Sequence, residues 1–316
     1  MTRFIKKIIK APLTILNILV KRTNWYRNTI IDSSNYPTNE WYREHLERNF
    51  DIVNVGSSSA LYAFDYSGCN VKAFNWALQP QSMEYSFKVL KNFHSILKKN
   101  GYVINPFSPF SALSVTGKWD PALNERYFGI LDYTLIENYK EIEYRKFNPV
   151  ISNPKTAIKR LIKDVPAKPK GREALKACTN KEDFEQDANF WIDMWKKEFA
   201  IDNLNAPVSE ENKNGMKNRR TTIMEMIDFC LERSLQPILV IPPMHPALAN
   251  KFTSEFCTNY IYSFINDLNI HEIPFYNYMN SKEFTDDKLY TNSFFMSQYG
   301  AKIFTNIFLN ELGLIK

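Results

Sequence analysis

The sequence predicts an α/β fold built on a mostly parallel β-sheet. Short apolar runs alternate along the 316 residues with stretches whose apolar residues recur every three or four positions. The runs are continuously apolar, which is typical of strands buried on both faces. Strands that alternate with helices in this way indicate βαβ units. The predicted strands lie at 52–55, 71–74, 102–104 and 238–241, with a weaker candidate at 270–275.

The predicted helices lie between and after these strands. The stretch 82–98 keeps Met83, Phe87, Leu90 and Phe93 on one helical face, which is the period of an amphipathic helix. The stretch 220–233 repeats this pattern, and 247–268 and 300–312 are further helices.

A long interval at 106–214 interrupts the alternation, and we expect it to be a mainly helical insertion that caps the carboxyl edge of the sheet. It contains the Pro-rich basic piece "KDVPAKPKGR" and the aromatic-rich helix "DFEQDANFWIDMWKKEF". The aromatic residues of that helix are expected to form the core of the cap, with a sugar-stacking platform as the alternative. They are Phe190, Trp191, Met194, Trp195 and Phe199. The basic run at 155–176 is expected to be a solvated face, which would also suit an anionic glycan or membrane.

The first 30 residues are expected to form a separate basic amphipathic segment, followed by one α/β domain over 31–316. Residues 2–22 carry six bases and no acid, and on a helix these bases occupy one arc opposite a wide apolar face. The apolar run 11–20 is too short to span a bilayer, which needs about 20 residues. Such a helix suits an anionic membrane surface, or its apolar face packs on the protein's own core.

Composition excludes several classes of protein. The four cysteines form no C-x-x-C pair, which argues against a structural zinc site and a disulfide scaffold. No metal and no cofactor are expected. The net charge of +6 is concentrated in two short stretches, 1–22 and 151–176, so the broad basic footprint of a nucleic-acid-binding protein is absent.

The stretch "DIVNVGSSSA" at 51–60 carries the first candidate site. Gly56 and three serines follow a predicted strand, at the edge where ligands bind in open α/β sheets. A helix that begins there offers N–H groups and a positive dipole end to an oxyanion. The alternative is that the serines only cap that helix.

Four blocks in order extend this motif: "VNVGSSSALYAF", "AFNWALQPQS", "PILVIPPMHP" and "YTNSFFMSQYGAKIFT". Together they resemble the SGNH/GDSL hydrolase superfamily, and most closely its branches found among cell-envelope polysaccharide and teichoic-acid genes. The resemblance covers roughly 51–105 and 215–313. It implies a three-layer, flavodoxin-like parallel sheet.

The resemblance also assigns site residues. The family's Gly-Asp-Ser corresponds to Gly56, Ser57 and Ser58, which makes Ser58 the nucleophile position. Asn75 belongs to the second block, and Asn105 stands where the family places its oxyanion-hole asparagine. The expected oxyanion-hole or substrate-binding residues are therefore Gly56, Ser57, Asn75, Asn105 and Asn292.

The last block departs from the family pattern of Asp-x-x-His. Counting back from Gly300 places Asn292 at the aspartate position and Phe295 at the histidine position. His245 in "PPMHP" follows a predicted strand on the same edge as Ser58 and is the candidate replacement base. The alternative is that His245 packs or caps locally.

Three functions follow as expectations, and one of them is a peripheral membrane protein for which the fold is only a scaffold. The loss of both triad partners favours a degenerate SGNH-like protein of cell-surface polysaccharide metabolism, binding a polysaccharide, an acylated glycan or a biosynthetic partner. The alternative is an active serine esterase or O-acyltransferase on envelope polysaccharide that uses Ser58. A bacterial protein that is cytoplasmic or membrane-associated is expected in every case.

Overall fold

Five strands form one all-parallel sheet in the order β2-β1-β3-β4-β5. The strands are β1 (Phe50–Asn54), β2 (Ala73–Asn75), β3 (Leu97–Pro106), β4 (Gln236–Ile241) and β5 (Phe275–Asn277). The computed structural model describes residues 2–26, 48–113, 119–164, 175–205, 207–268 and 271–315, with side chains of the first helix from residue 12. The predicted α/β class with a parallel sheet is confirmed.

Helices connect and flank these strands. They are α1 (Thr2–Lys21), α2 (Ser58–Ala63), α3 (Met83–Phe93), α4 (Tyr139–Phe147), α5 (Pro149–Ser152), α6 (Pro154–Ile162), α7 (Lys181–Glu198), α8 (Glu210–Glu232), α9 (Pro246–Ala249), α10 (Ser263–Leu268) and α11 (Gln298–Glu311). Shorter helical turns lie at Asn24–Tyr26, His94–Ile96, Pro121–Tyr127, Tyr133–Leu135, Ser254–Phe256, Lys282–Phe284 and Asp287–Leu289, with a π-helical segment at Cys257–Tyr262.

The chain divides into two compact units, which differ from the predicted domains. Unit 1 consists of 1–46 with 119–174, and unit 2 consists of 47–118 with 175–316. These units divide the chain differently from the predicted segment 1–30 and domain 31–316, because the middle of the 106–214 insertion groups with the N-terminal residues. Residues 27–30 of the predicted basic segment and 165–174 of the predicted basic run lie outside the described residues.

The core of unit 2 lies between the sheet and α11. Strand residues Ile52, Ile104 and Val240 pack there against Phe304 and Phe308 of α11. On the other side α3 and α8 pack together, with Phe87 and Phe229 in edge-to-face contact, and α8 packs along β4. Burial of the sheet by helices explains why its central strands are apolar without alternation.

Two predicted boundaries differ from the structure. The helix predicted at 82–98 ends at Phe93, because Leu97 already pairs with Phe50 as the first residue of β3. The weak strand predicted at 270–275 is β5, which begins only at Phe275; Ile270 itself lies outside the described residues.

Unit 1 is a small helical assembly around α1. Val20 of α1 is buried with Trp25, Tyr26, Val150 and Ala157, and Leu13, Leu16 and Leu161 pack against this cluster. Asp164 accepts hydrogen bonds from the backbone N–H groups of Asn24 and Trp25, at 2.9 and 3.0 Å. Part of the apolar face of α1 therefore belongs to a core, as one of the two sequence alternatives expected. Among the described residues, no helix combines the length and the apolar character needed to cross a membrane.

Candidate functional site

The turn from β1 into α2 places the Gly-Ser motif at the carboxyl edge of the sheet. The strand order reverses between β1 and β3, which is the place where open α/β sheets bind ligands. Gly56 has a φ of +122°, and a Cβ added there would lie 2.8 Å from Ala60 Cβ. Only glycine fits this turn, because a side chain would meet both a strained backbone and the following helix.

The side chain of Gln81, in the connection between β2 and α3, is buried and forms hydrogen bonds with this turn. Gln81 Nε2 donates to the carbonyl oxygens of Gly56 and Trp76, at 3.1 and 3.3 Å, and to Ser86 Oγ at 3.2 Å. Ser57 Oγ accepts the Gln81 N–H at 3.1 Å. Ser57, predicted to bind substrate, is thus a link between two loops.

Ser58 and Ser59 are half-buried, and the second of them reaches a small cavity. The cavity lies at the carboxyl edge of β4, and its lining residues are apolar apart from Ser59. Its lining residues are Ser59, Ala63, Phe107, Pro242, Pro243, Met244, Phe294 and Met296. Ser58, the predicted nucleophile, opens α2 one position earlier. The sequence located the motif but not which of its hydroxyl groups lies beside the cavity.

Asn75 is a structural link and not a donor to substrate. Its Nδ2 is within hydrogen-bond distance of the carbonyl oxygens of Ala60, Leu61 and Phe64 at the end of α2. Its Oδ1 accepts from Asn54 Nδ2 at 2.7 Å and from the Ala77 N–H at 3.0 Å. The predicted oxyanion-hole role of Asn75 is therefore not available, because both ends of its amide are engaged.

Asn105 differs from the other predicted donors. It lies within β3 and pairs with Leu239 of β4. Its side chain is buried, and neither Oδ1 nor Nδ2 has a hydrogen-bond partner among the described residues. A buried amide without partners costs free energy, which is unusual in a strand core.

The loop before α11 carries the two positions of the family's triad partners. Asn292 Oδ1 accepts the N–H groups of Phe294 at 3.1 Å and Phe295 at 2.8 Å. An isolated bridge between Tyr290 and Met296 closes the loop. The Asn292 side chain, predicted to bind substrate, therefore holds the loop in shape.

Phe295 is buried in this loop. Its ring centroid lies 4.8 Å from that of Tyr62, one turn after Ser58 on α2, and 5.4 Å from that of Trp191. Phe295 thus packs against the helix that Ser58 begins. Gly300 fixes the start of α11 nearby, since an added Cβ would lie 2.0 Å from the Leu289 carbonyl oxygen.

His245 has a local role that conflicts with its predicted function as the base. Its Nδ1 accepts the Ala247 N–H at 3.1 Å, so the ring proton lies on Nε2, which is 3.0 Å from Asp287 Oδ1. The ring stacks on Phe184, with centroids 3.8 Å apart and planes 5° from parallel. Both ring nitrogens are engaged with groups other than a serine, so His245 caps α9 instead of activating Ser58.

Helix α7 of the insertion covers this edge, as the predicted cap should. Its Asp187 accepts hydrogen bonds from the N–H and the Oγ of Ser293. Its Trp195 is buried, 4.7 Å from Phe110 and 4.9 Å from Phe294 between ring centroids. The aromatic stripe is thus mainly core, but Phe190 is 60% exposed. Asp187 and Phe184 were missed by sequence reasoning, because neither belongs to a recognisable motif.

Burial dominates the electrostatics around this loop. It raises the pKa of the Tyr290 hydroxyl above its usual value. Burial, together with the nearby carboxylates of Asp187 and Asp183, raises the pKa of the Cys178 thiol to about 11. The Tyr290 hydroxyl and the Cys178 thiol therefore both lack the lowered pKa of an activated nucleophile.

The structure therefore brings the Gly-Ser turn, Phe295 and the cap helix together, and it engages His245, Asn75 and Asn292 elsewhere. No family model matches the sequence, and no curated protein matches it.

Proposed function

We propose that this chain is an SGNH-like protein of cell-surface polysaccharide metabolism that binds an acylated glycan without hydrolysing it. The observation that carries the proposal is the loop at 290–297. The positions that resemble the family's aspartate and histidine are Asn292 and Phe295, and both are built into the loop.

The chemistry of a serine nucleophile supports a binding role. A serine hydroxyl is a weak nucleophile, and a positioned general base typically contributes 10²–10⁴-fold to the rate. A phenylalanine accepts no proton, and the asparagine amide already accepts two backbone N–H groups. His245, the remaining candidate, has both ring nitrogens engaged.

Two features of the cavity edge suit an acylated glycan. The cavity beside Ser59 has room for about one water molecule and is lined by apolar residues apart from Ser59, so it excludes a sugar ring and suits at most the methyl end of an acyl group. The exposed ring of Phe190 lies on the cap helix, next to Trp191, which packs on Phe294 and Phe295. Exposed aromatic rings supply large contact area to ligands at low entropic cost.

An active esterase or O-acyltransferase remains the second candidate, because Ser58 stands at the start of α2, where N–H groups are available to an oxyanion. Labelling with a fluorophosphonate probe separates the two. We expect wild type, Ser58→Ala and Ser59→Ala to be labelled equally weakly, and to hydrolyse p-nitrophenyl acetate equally slowly. Strong labelling of the wild type that Ser58→Ala abolishes would instead establish the enzyme.

Binding is tested with an O-acetylated envelope polysaccharide and the same polysaccharide after alkaline deacetylation. We expect the acetylated form to bind more tightly, and Ser59→Val, which fills the cavity mouth, to remove that preference. Phe190→Ala should weaken binding of both forms, whereas Tyr262→Ala, another exposed aromatic of unit 2, should leave it unchanged. Equal binding of both forms by every variant would contradict the proposed acyl site.

A further inference from the structure

Unit 1 exposes aliphatic side chains on two helices that already share a core. On α1, Leu13, Leu16 and Val20 pack inward, while Ile15, Ile18 and Leu19 are exposed, Ile15 by 59%. The apolar arc of α1 is thus wide enough to supply both a packed face and an exposed face. One face of α1 thus belongs to the core of unit 1, and another face is left exposed.

Helix α6, which contains the start of the predicted basic run at 155–176, repeats this arrangement. Ala157 is buried and Leu161 packs inward, while Ile158 and Ile162 are exposed, Ile162 by 83%. Ile151 of the preceding α5 is also exposed. Single exposed apolar residues are normal, but several large aliphatic side chains on two packed helices indicate an interaction surface.

The charges beside these side chains have one sign. Among residues 12–22, whose side chains the structure describes, the charged residues are Lys21 and Arg22, and residues 149–163 carry Lys155, Lys159, Arg160 and Lys163 and no acid. Lys155 and Lys159 are exposed on α6. In residues 119–164, the acids lie at 120–143 and at Asp164. The two helices therefore present aliphatic groups together with a strongly positive field.

We propose that the exposed faces of α1 and α6 together bind an anionic lipid bilayer. Branched aliphatic side chains flanked by lysines match the acyl and headgroup layers of such a surface. A nucleic acid would offer phosphates to the lysines but nothing to the isoleucines. A second copy of this chain would bring like charges together across the contact. This surface lies within unit 1 and is independent of the proposed acyl site in unit 2.

Sedimentation of the full chain with vesicles tests the surface. We expect binding to vesicles of phosphatidylcholine with 30% phosphatidylserine, little binding to pure phosphatidylcholine, and a loss at high salt. Ile158→Ser with Ile162→Ser, and separately Ile15→Ser with Ile18→Ser, should each lower partitioning at least tenfold. Lys155→Gln with Lys159→Gln should also lower it, by about fivefold for each lysine removed.

Matched controls come from surfaces outside the two faces. One control, Tyr133→Ser with Leu231→Ser, removes exposed apolar groups. The other control, Lys213→Gln with Lys217→Gln, removes exposed charges. Neither pair should change vesicle binding. Circular dichroism melting confirms that each variant is folded. The proposal is overturned if the α6 variants sediment like wild type, if both vesicle types bind equally, or if the α6 variants instead dissociate a dimer seen by light scattering. Retained binding of the acetylated polysaccharide by the α6 variants would show that the acyl site is unaffected.

Discussion

Asn105 is a polar residue at a position where the surrounding strand is apolar. Its neighbours Val103 and Ile104 are buried hydrophobic residues of β3, and its own amide has no partner among the described residues. A buried amide without a partner at the carboxyl edge of a parallel sheet is expected where a site requires it. Asn105 thus remains the predicted oxyanion-hole residue whose amide is unengaged.

Substitution of Asn105 tests this directly. Asn105→Leu removes two unsatisfied buried polar atoms and should raise the free energy of unfolding by about 1–2 kcal/mol, measured by urea denaturation. Asn212→Leu is the matched control, because buried Asn212 donates to the Phe199 carbonyl oxygen at 2.6 Å, and its loss should destabilise the protein. A lower stability of Asn105→Leu would indicate that Asn105 has a partner after all.

Asn292 gives the second prediction at this scale. Asn292→Ala leaves two buried N–H groups without an acceptor and should cost about 1–3 kcal/mol in thermal or urea unfolding. Asn292→Asp keeps an oxygen at the same place and should cost less. If the two variants lost equal stability, the Asn292 side chain would not be holding the loop.

At the scale of the element, β1 is tied to its neighbours by Asp51. Burial raises the pKa of this carboxyl group. Hydrogen bonds from Lys98 Nζ and the Lys72 N–H, together with the charge of Lys98, lower it. The lowering effects outweigh burial, so the pKa lies below its usual value. A lowered pKa in the folded state stabilises the protein above the unfolded pKa, near 3.9. That stability is lost as the pH falls through the folded pKa.

Asp51→Asn should therefore lower the free energy of unfolding by about 1–2 kcal/mol at pH 6, and the difference from wild type should shrink as the pH falls below the unfolded pKa, near 3.9. Urea midpoints measured between pH 2.5 and pH 7 give this difference. Glu225→Gln, at an exposed position of α8, is the control and should show no such trend. A difference that grew toward low pH would reverse the assigned direction of the shift.

The elements show which features a sequence can predict. The central strands were predictable because burial on both faces leaves a continuous apolar run, as in β1 and β4. The start of β3 was not, because Leu97 continues the apolar period of the preceding helix although it pairs with Phe50. At the site, Gly56 followed by serines predicted the turn after β1. Counting back from Gly300 identified Phe295 as the residue at the family's histidine position. The contact of His245 with Asp287 and the bonds of Gln81 with Gly56 and Ser57 join residues far apart in the sequence and could not be predicted.

At the scale of the whole molecule, unit 1 and unit 2 differ in their dependence on α1. Deletion of residues 2–22 removes Leu13, Leu16 and Val20 from the core of unit 1. We expect this deletion to destabilise residues 119–164 and to leave the sheet of unit 2 folded. Hydrogen exchange by mass spectrometry should show lost protection in α4, α5 and α6 only. Ile15→Ser with Ile18→Ser, which changes exposed residues of the same helix, should leave exchange unchanged in every unit.

The pairing of α1 with distant residues also has a consequence during synthesis of the chain. Asn24 and its partner Asp164 are 140 residues apart, and Val150 and Ala157 follow α1 at a similar interval. At ordinary translation rates this interval lasts on the order of ten seconds. Throughout that time the nascent chain carries an apolar, basic helix whose internal partners have not yet been made. The apolar side chains of α1 are therefore synthesised well before the residues of unit 1 that cover part of them in the folded chain.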